Sequence, residues 1–312
     1  MGLRVFISGA TGFVGKHLIS FLASFDYTVF GTSFPEKPES GEDENIFYLD
    51  IRSEEEVFKA VKRIQPDWIF HLAAVSNVRH SWEKRKETLE TNLMGTFYLF
   101  EAARKFTPQA RILFVSSSDV CGVLSPIEEA LSEDDSTPVV SPYAFTKVNG
   151  EILSKFYAQV EELDIVVARS FPHTGPGQSP DFVCSDWACQ IAQIEKGKTE
   201  PVIKVGNIEV KRDFLDVRDV VRAYALLMQQ GKSGEVYNVC SGRAVSLSEI
   251  LDLFLSLSSQ EIEAQVDSQK LRKADIPLLL GDNKKIKQET SWEPQIPLKQ
   301  SLIDLLDYWR QN

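Results

Sequence analysis

The chain opens with an apolar, β-branched run, Arg4 to Ser8, broken by Gly9-Ala10-Thr11-Gly12-Phe13-Val14-Gly15. Apolar residues then recur at Val14, Leu18, Ile19 and Leu22, the spacing of a helix. That order predicts a strand, a glycine turn and a helix. The alternation goes on: a strand over 28–31, a polar Pro/Glu-rich loop, a strand over 46–49, a helix over 54–64 and a very apolar stretch from Trp68 to Ala74. Next come a helix near 92–104, a strand over 111–116, a long helix from Pro142 to Leu163 and a strand over 165–169. Strands this apolar fit a parallel sheet covered on both faces.

After Arg169 the pattern changes. A Pro/Gly-rich stretch from Phe171 to Gly177 precedes a helix near 187–196, short strands and a second Pro-rich region around Pro277 and Pro294. The segment 212–229 and a strand over 235–239 read as a return to the main sheet. The expected architecture is α/β: a Rossmann-like doubly wound parallel sheet with a smaller C-terminal α/β lobe. Its dinucleotide-binding domain would span 1–170 with 212–240 returning to it, and the ligand-binding lobe would take 171–211 and 241–312.

Composition narrows the partners. The 312 residues carry 34 Lys and Arg against 45 Asp and Glu, a net charge of −11. Such a surface repels nucleic acid and anionic membranes, so neither is an expected partner and an anionic ligand needs a local basic cluster. No run reaches the roughly 18 apolar residues of a membrane span, and Met1 leads straight into the first strand, so a cytoplasmic protein is expected. The four cysteines lack CxxC spacing and the four histidines lack metal-ligand spacing, which predicts reduced thiols and no structural metal.

Gly9, Gly12 and Gly15 would let the backbone approach a pyrophosphate, with Thr11, Phe13 and Val14 around it and helix N–H groups facing the charge. Taken alone the pattern is equally a simple glycine-rich turn; its place after the first strand of an alternating chain points to a dinucleotide. A 2′-hydroxyl cofactor usually meets an acid about 20 residues on. Here the stretch is Gly31-Thr32-Ser33-Phe34, with no carboxylate and no arginine. Ser33 and Lys37 could meet a 2′-phosphate, which favours NADP(H) and leaves NAD(H) open. Asp50 and Ile51 either meet the adenine or begin the next helix, with Asp50 as its cap.

Tyr143 and Lys147 stand one turn apart on one helix face. Ser141 is placed to cap that helix and Pro142 to begin it, which puts Tyr143 at its positive end. A free phenol, with a pKa of about 10, is a poor acid–base group near neutrality. The expectation is therefore that Lys147, the helix end and a cofactor lower the Tyr143 pKa. A bare YxxxK is common by chance. The Ser-rich end of the preceding strand, Ser116-Ser117-Ser118-Asp119, adds a hydroxyl able to bind a substrate carbonyl where open α/β sheets bind ligands.

In order along nearly the whole chain, Gly9-x-x-Gly12-x-x-Gly15, His71-Leu72-Ala73-Ala74, that Ser-rich end, Tyr143-x-x-x-Lys147 and Arg212-Asp213-Phe214-Leu215-Asp216-Val217 resemble the extended short-chain dehydrogenase/reductase family acting on nucleotide sugars. Arg169 to Gln178, Val205-Gly206-Asn207 and the tail from Leu271 to Trp309 are similar to its GDP-sugar branch, above all GDP-4-keto-6-deoxy-D-mannose reductases. The resemblance implies that Ser117 binds substrate, Tyr143 is the acid–base residue and Lys147 binds the ribose. It extends the cofactor cradle to Leu72, Ala73, Ala74 and Asn92. Arg212 would lie near the nucleotide phosphates, with Lys204, Arg218, His173 and Ser118 as further substrate contacts.

Three positions depart from the family pattern. Asp119 stands where related dehydratases carry a catalytic Glu, which weakens elimination and favours reduction. Cys121 replaces a Tyr, and Pro172 replaces an Asn that touches the nucleotide sugar. The implied activity is NAD(P)H-dependent reduction of the C4 ketone of GDP-4-dehydro-6-deoxy-D-mannose to GDP-D-rhamnose or its C4 epimer. The alternatives are a GDP-mannose 4,6-dehydratase or nucleotide-sugar 4-epimerase and, in another class, a non-catalytic dinucleotide sensor. Helices bearing Leu93, Phe97 and Phe100, and Phe145, Ile152 and Phe156, either pair in a homodimer or cover the sheet.

Overall fold

The opening apolar run extends as β1 (Leu3–Ser8), and Gly9, with a φ of +73° open to glycine without strain, turns the chain toward α1 (Phe13–Leu22). A computed structural model describes residues 2–36, 44–122, 129–135, 138–271 and 276–312. The first half continues with β2 (Tyr27–Ser33), β3 (Ile46–Tyr48), α2 (Glu54–Ile64), β4 (Trp68–His71), α3 (Val78–Glu83) and α4 (Arg85–Leu89). One turn of π-helix, Glu90–Met94, leads into α5 (Gly95–Phe106) and β5 (Arg111–Ser117). A 3-10 turn, Ser118–Cys121, precedes α6 (Pro142–Gln159) and β6 (Asp164–Ser170). Then follow β7 (His173–Thr174), α7 (Val183–Glu195), β8 (Val202–Val205), β9 (Lys211–Asp213), β10 (Leu215–Asp216), α8 (Val217–Gln230) and β11 (Val236–Val239). The chain closes with β12 (Ala244–Ser246), α9 (Leu247–Leu257), β13 (Glu263–Val266), β14 (Leu278–Leu279), α10 (Lys284–Thr290) and α11 (Leu298–Gln311).

Seven strands form one parallel sheet in the order β11-β6-β5-β4-β1-β2-β3. The direction of winding reverses between β1 and β4, which opens a crevice at the carboxyl ends of those strands. Period-two alternation sends Val5, Ile7 and Leu113 to one face, against Leu18 and Leu22 of α1 and Tyr224 and Leu227 of α8. Phe6, Ile112 and Phe114 face the other way, onto Val57 and Val61 of α2, Leu99 and Phe100 of α5 and Tyr157 of α6. Each fully buried side chain of this kind contributes roughly 1.5–3 kcal/mol. A third core gathers Trp187 and Ile191 of α7, Leu251 and Phe254 of α9 and Leu302, Leu305 and Leu306 of α11 over Ile203 and Val205 of β8. After α8, which packs on the main sheet, β11 pairs parallel with β6 at its edge.

The differences from the sequence pattern have local causes. The apolar stretch 68–74 is strand only to His71; the Leu72 N–H still reaches the Ser8 carbonyl at 3.2 Å, and the Ser8 hydroxyl accepts the N–H groups of Leu72 and Ala73, both at 3.2 Å. α6 stops at Gln159, before a turn in which Glu162 adopts a φ of +57°. Of the two alternatives for the α5 face, Phe100 takes the second, fully buried beneath the sheet, whereas Phe97 is exposed. Among the described residues no helix is long and apolar enough to cross a membrane.

Candidate active site

α1 begins with Gly12 as its N-cap, with no side-chain capping bond and no acid in the first turn. Its leading N–H groups therefore face outward without intrahelical partners. A Cβ on Gly15 would lie 2.5 Å from the carbonyl oxygens of Gly9 and Ala10, and one on Gly9 would meet the Ala73 nitrogen at 2.9 Å. The three glycines thus leave a bare backbone cradle between β1 and the Leu72–Ala74 loop, with Thr11, Phe13 and Val14 half-exposed at its rim. The donor set and the missing Cβ atoms fit a pyrophosphate. Thr32 of β2 fixes the turn from behind: its carbonyl accepts the Ala10 N–H at 2.9 Å and its hydroxyl accepts the Gly9 N–H at 3.0 Å.

At the end of β2 the Ser33 hydroxyl donates to the Glu36 carbonyl. Lys37 lies outside the described residues. Asp50 neither caps α2 nor offers an unengaged carboxylate, since Ser53 is the cap and Arg52 forks Asp50 from Nε and Nη2 at 2.9 and 2.7 Å. That guanidinium holds the Asp50 carboxyl below the usual carboxylate range. Arg52 also lies over the Phe34 ring, 5.0 Å from its centroid, and so brings to the end of β2 the arginine that β2 itself lacks. Ile51 is buried against Gly95.

Asn92 sits in the π-helical turn and acts as a fastener. Its Oδ1 accepts the Val75 N–H at 2.7 Å, and its Nδ2 donates to the Val75 carbonyl at 3.1 Å and to the Thr146 hydroxyl at 3.0 Å. One side chain thereby ties the loop after β4 to α6. π-Helical turns inside helices frequently mark functional sites.

α6 carries the residues expected to be catalytic. Ser141 caps it through the Ala144 N–H, Pro142 opens it, and the buried Ser81 hydroxyl of α3 accepts the Tyr143 N–H at 3.2 Å. Lys147 follows one turn later on the same inward face. Its ammonium donates to the Val115 carbonyl of β5 at 2.7 Å and lies 5.8 Å from the Tyr143 ring centroid. Ser117, at the end of β5, donates to Asp119 Oδ2 at 2.9 Å and accepts the Asp119 N–H at 3.2 Å. Ser118, next to it, is buried at the start of the 3-10 turn.

The expected direction of the Tyr143 pKa is reversed. Burial pushes the phenol up, the Asp119 carboxylate adds to the rise, and hydrogen bonding from Ser117 offsets it only in part. Burial also pushes the Lys147 ammonium down to about 8, opposed by Glu151 one turn further along. Behind the pair, His71 bonds Ser8 at 2.7 Å and Thr96 at 2.9 Å, and burial holds its imidazole neutral at about 3.

The basic residues of the C-terminal half are dispersed. Arg218 pairs with Asp216 at 2.7 Å and Asp304 at 2.6 Å, so it staples α8 to α11. Lys204 stands at an exposed position of β8, bonded to Gln265 of β13. Arg212 of β9 donates to the Lys211 and Ile276 carbonyls. His173 stacks on Phe13 of the cofactor turn with centroids 6.1 Å apart, its Nδ1 2.9 Å from the Phe171 carbonyl. Burial lowers its pKa. The Pro172 carbonyl accepts the Leu215 N–H at 2.9 Å, and Cys121 is a core thiol pushed up to about 11 by burial. Sequence spacing missed Asp213, whose buried carboxylate gathers Ser241, Gly242 and Gly281 donors next to Arg212.

Comparison with known proteins agrees with this geometry. The family model described as GDP-mannose 4,6 dehydratase matches residues 6–305. GDP-6-deoxy-D-mannose reductase of Pseudomonas aeruginosa is 33% identical over 100% of this chain and 99% of its own. GDP-mannose 4,6-dehydratase of Yersinia enterocolitica is 25% identical over 97% of this chain and 92% of its own. The solved structure of RMD from Pseudomonas aeruginosa complexed with NADPH superposes with a TM-score of 0.87 at 32% identity, covering 99% of both chains. With a glycine cradle, a Ser–Tyr–Lys cluster and these likenesses along its whole length, the chain belongs to the GDP-mannose 4,6-dehydratase family of extended short-chain dehydrogenases/reductases, and is an enzyme of the nucleotide-sugar dehydratase, reductase and epimerase type.

Proposed function

We propose that this enzyme reduces the C4 ketone of GDP-4-dehydro-6-deoxy-D-mannose to GDP-D-rhamnose or its C4 epimer, using NADPH by preference and NADH as the alternative. The observation that carries the reading is geometric: the buried Tyr143, with the Lys147 ammonium 5.8 Å from its ring centroid, meets Ser117 and the Val115 carbonyl at the end of β5. The likeness to a GDP-6-deoxy-D-mannose reductase, and to a structure holding NADPH, supports the substrate class and cofactor.

A bound nicotinamide supplies the hydride. The first turn of α1 and the Gly9–Gly15 backbone would hold the pyrophosphate and Leu72, Ala73 and Ala74 would wall the cofactor, while Asn92 ties the loop after them to α6. Ser117 turns its rotatable hydroxyl to the substrate carbonyl and polarises it, while Tyr143 gives its proton to the same oxygen. The tyrosinate left behind is stabilised by Lys147. Proton donation by a positioned group of this kind contributes typically 10²–10⁴-fold. Arg212 is the basic residue of the lobe assigned to the GDP diphosphate.

A second reading, 4,6-dehydration of GDP-mannose, rests on Asp119, whose carboxylate is close enough to Tyr143 to raise its pKa and could take a sugar proton. Purified enzyme mixed with NADPH and the ketosugar separates the two. Stoichiometric loss of reduced nicotinamide supports reduction, and conversion of GDP-mannose without net cofactor consumption supports dehydration. The four free thiols support a reducing cytoplasmic compartment. Exposed Met94, Phe97, Phe145, Ile152 and Phe156 support a homodimer through α5 and α6.

A further inference from the structure

Under the catalytic pair lies a buried ion pair that the reaction as proposed leaves unused. Glu151 follows Lys147 by one turn on α6. Its carboxylate accepts Arg169 Nε at 3.1 Å, Arg169 Nη2 at 2.9 Å and the Ser116 hydroxyl at 2.5 Å. The Arg169 and Glu151 side chains are only 6% and 14% exposed. From β6, Arg169 also donates through Nη1 to the Glu133 carbonyl at 3.2 Å. Three consecutive residues of β5 therefore meet three successive turns of α6. Ser117 faces Tyr143, the Val115 carbonyl holds Lys147, and Ser116 holds Glu151.

Burying an ion pair adds little net stability, because desolvation offsets the Coulomb attraction. We propose that Glu151 is a positioning residue: clamped by Arg169 and Ser116, it serves as the fixed counter-charge of Lys147 and holds the end of β5 against the catalytic helix. The assignment rests on the reductase reading, in which Lys147 binds the cofactor ribose. The groups around the ammonium are the neutral imidazole of His71 from β4 and, from α6 itself, the Tyr143 phenol and Glu151. Asp119 of the 3-10 turn lies near the phenol, and Arg169 of β6 stands behind Glu151. Of these, Glu151 is the group that opposes loss of the Lys147 proton.

The test is the pH dependence of NADPH affinity, read from cofactor fluorescence between about pH 6 and about pH 10 without any turnover. In the wild type, binding weakens as pH rises through about 8, where Lys147 gives up its proton. In Glu151→Gln that onset moves down by about one pH unit, and Glu151→Asp, which keeps the charge, restores it. A merely structural role would lower thermal stability and weaken binding equally at every pH, with the onset unmoved. If Glu151→Gln does not fold, Glu151→Gln/Arg169→Met, which removes both charges, replaces it and is expected to shift the onset in the same direction. An unmoved onset in the folded variant overturns the assignment alone. A wild type that binds neither NADPH nor NADH overturns the reductase reading and the assignment with it.

Discussion

The inner face of α6 and the basic residues of the C-terminal half looked alike in sequence, each a short set of charged or polar groups at suggestive spacing. In the fold they part company. Tyr143 and Lys147 sit on one helix whose start is fixed by Ser141, Pro142 and Ser81, so their spacing translates directly into a shared face aimed at the end of β5. Lys204, Arg212 and Arg218 lie on two strands and a helix start, and Arg218 is neutralised by Asp216 and Asp304. Spacing within one regular element predicts geometry. Charge scattered over a lobe does not, because each cation finds its nearest carboxylate or carbonyl.

The largest expected effect breaks the comparison on the α6 side. Tyr143→Phe removes the proton donor and should lower kcat about 1000-fold, with NADPH affinity unchanged within about twofold, as checked by steady-state kinetics and fluorescence titration. Retained turnover would leave α6 no more catalytic than the lobe.

The same half predicts acid sensitivity. His71 stays neutral in the fold, with its pKa held at about 3 against an ordinary 6.5, and takes up a proton on unfolding. Its contribution is complete above about pH 6.5 and drains away as pH falls toward about 3, on the order of 5 kcal/mol in all. Urea denaturation of the wild type should steepen in pH dependence over that window, and His71→Gln should flatten it.

Gly15→Ala sharpens the contrast at the cradle. Its methyl would sit 2.5 Å from two backbone oxygens, so the variant should lose about 1–3 kcal/mol of stability and bind NADPH weakly, measured by thermal unfolding and titration. In the C-terminal half the prediction divides two arginines. Arg218→Ala should cost about 1–2 kcal/mol of stability with an unaltered KM for the GDP-sugar; the loss is less than for a fully buried pair because Arg218 is 39% exposed beside the buried Asp216. Arg212→Ala should raise that KM roughly tenfold, about 1.4 kcal/mol of binding. The smallest effect is on activity per subunit: Ile152→Glu, on the 62% exposed position of α6, should give a monomer in sedimentation equilibrium while leaving kcat within about twofold.

What was legible in the chain follows the same division. The alternation of strands and helices, the glycine turn and the capped start of α6 are local signals, and they placed β1, α1, β5, α6 and β11 within a few residues. The fasteners were not legible, because their partners are remote. Asn92 reaches Val75 and Thr146, Arg52 reaches Phe34, and Ser81 supports Tyr143 from another helix. The direction of the Tyr143 pKa was missed for a related reason: proximity to Lys147 is visible in the spacing, whereas burial and the Asp119 carboxylate exist only once the chain has folded.

The central claim is a net reduction carried out around Tyr143, and isotope transfer tests it most directly. NADPH deuterated at the transferring position of the nicotinamide is incubated with GDP-4-dehydro-6-deoxy-D-mannose, and the nucleotide sugar is analysed by mass spectrometry and NMR. The expected product carries deuterium at C4 of the sugar in proportion to the cofactor oxidised, and Tyr143→Phe yields almost none in the same time. A sugar product free of deuterium, or conversion with the cofactor still fully reduced, would contradict the account.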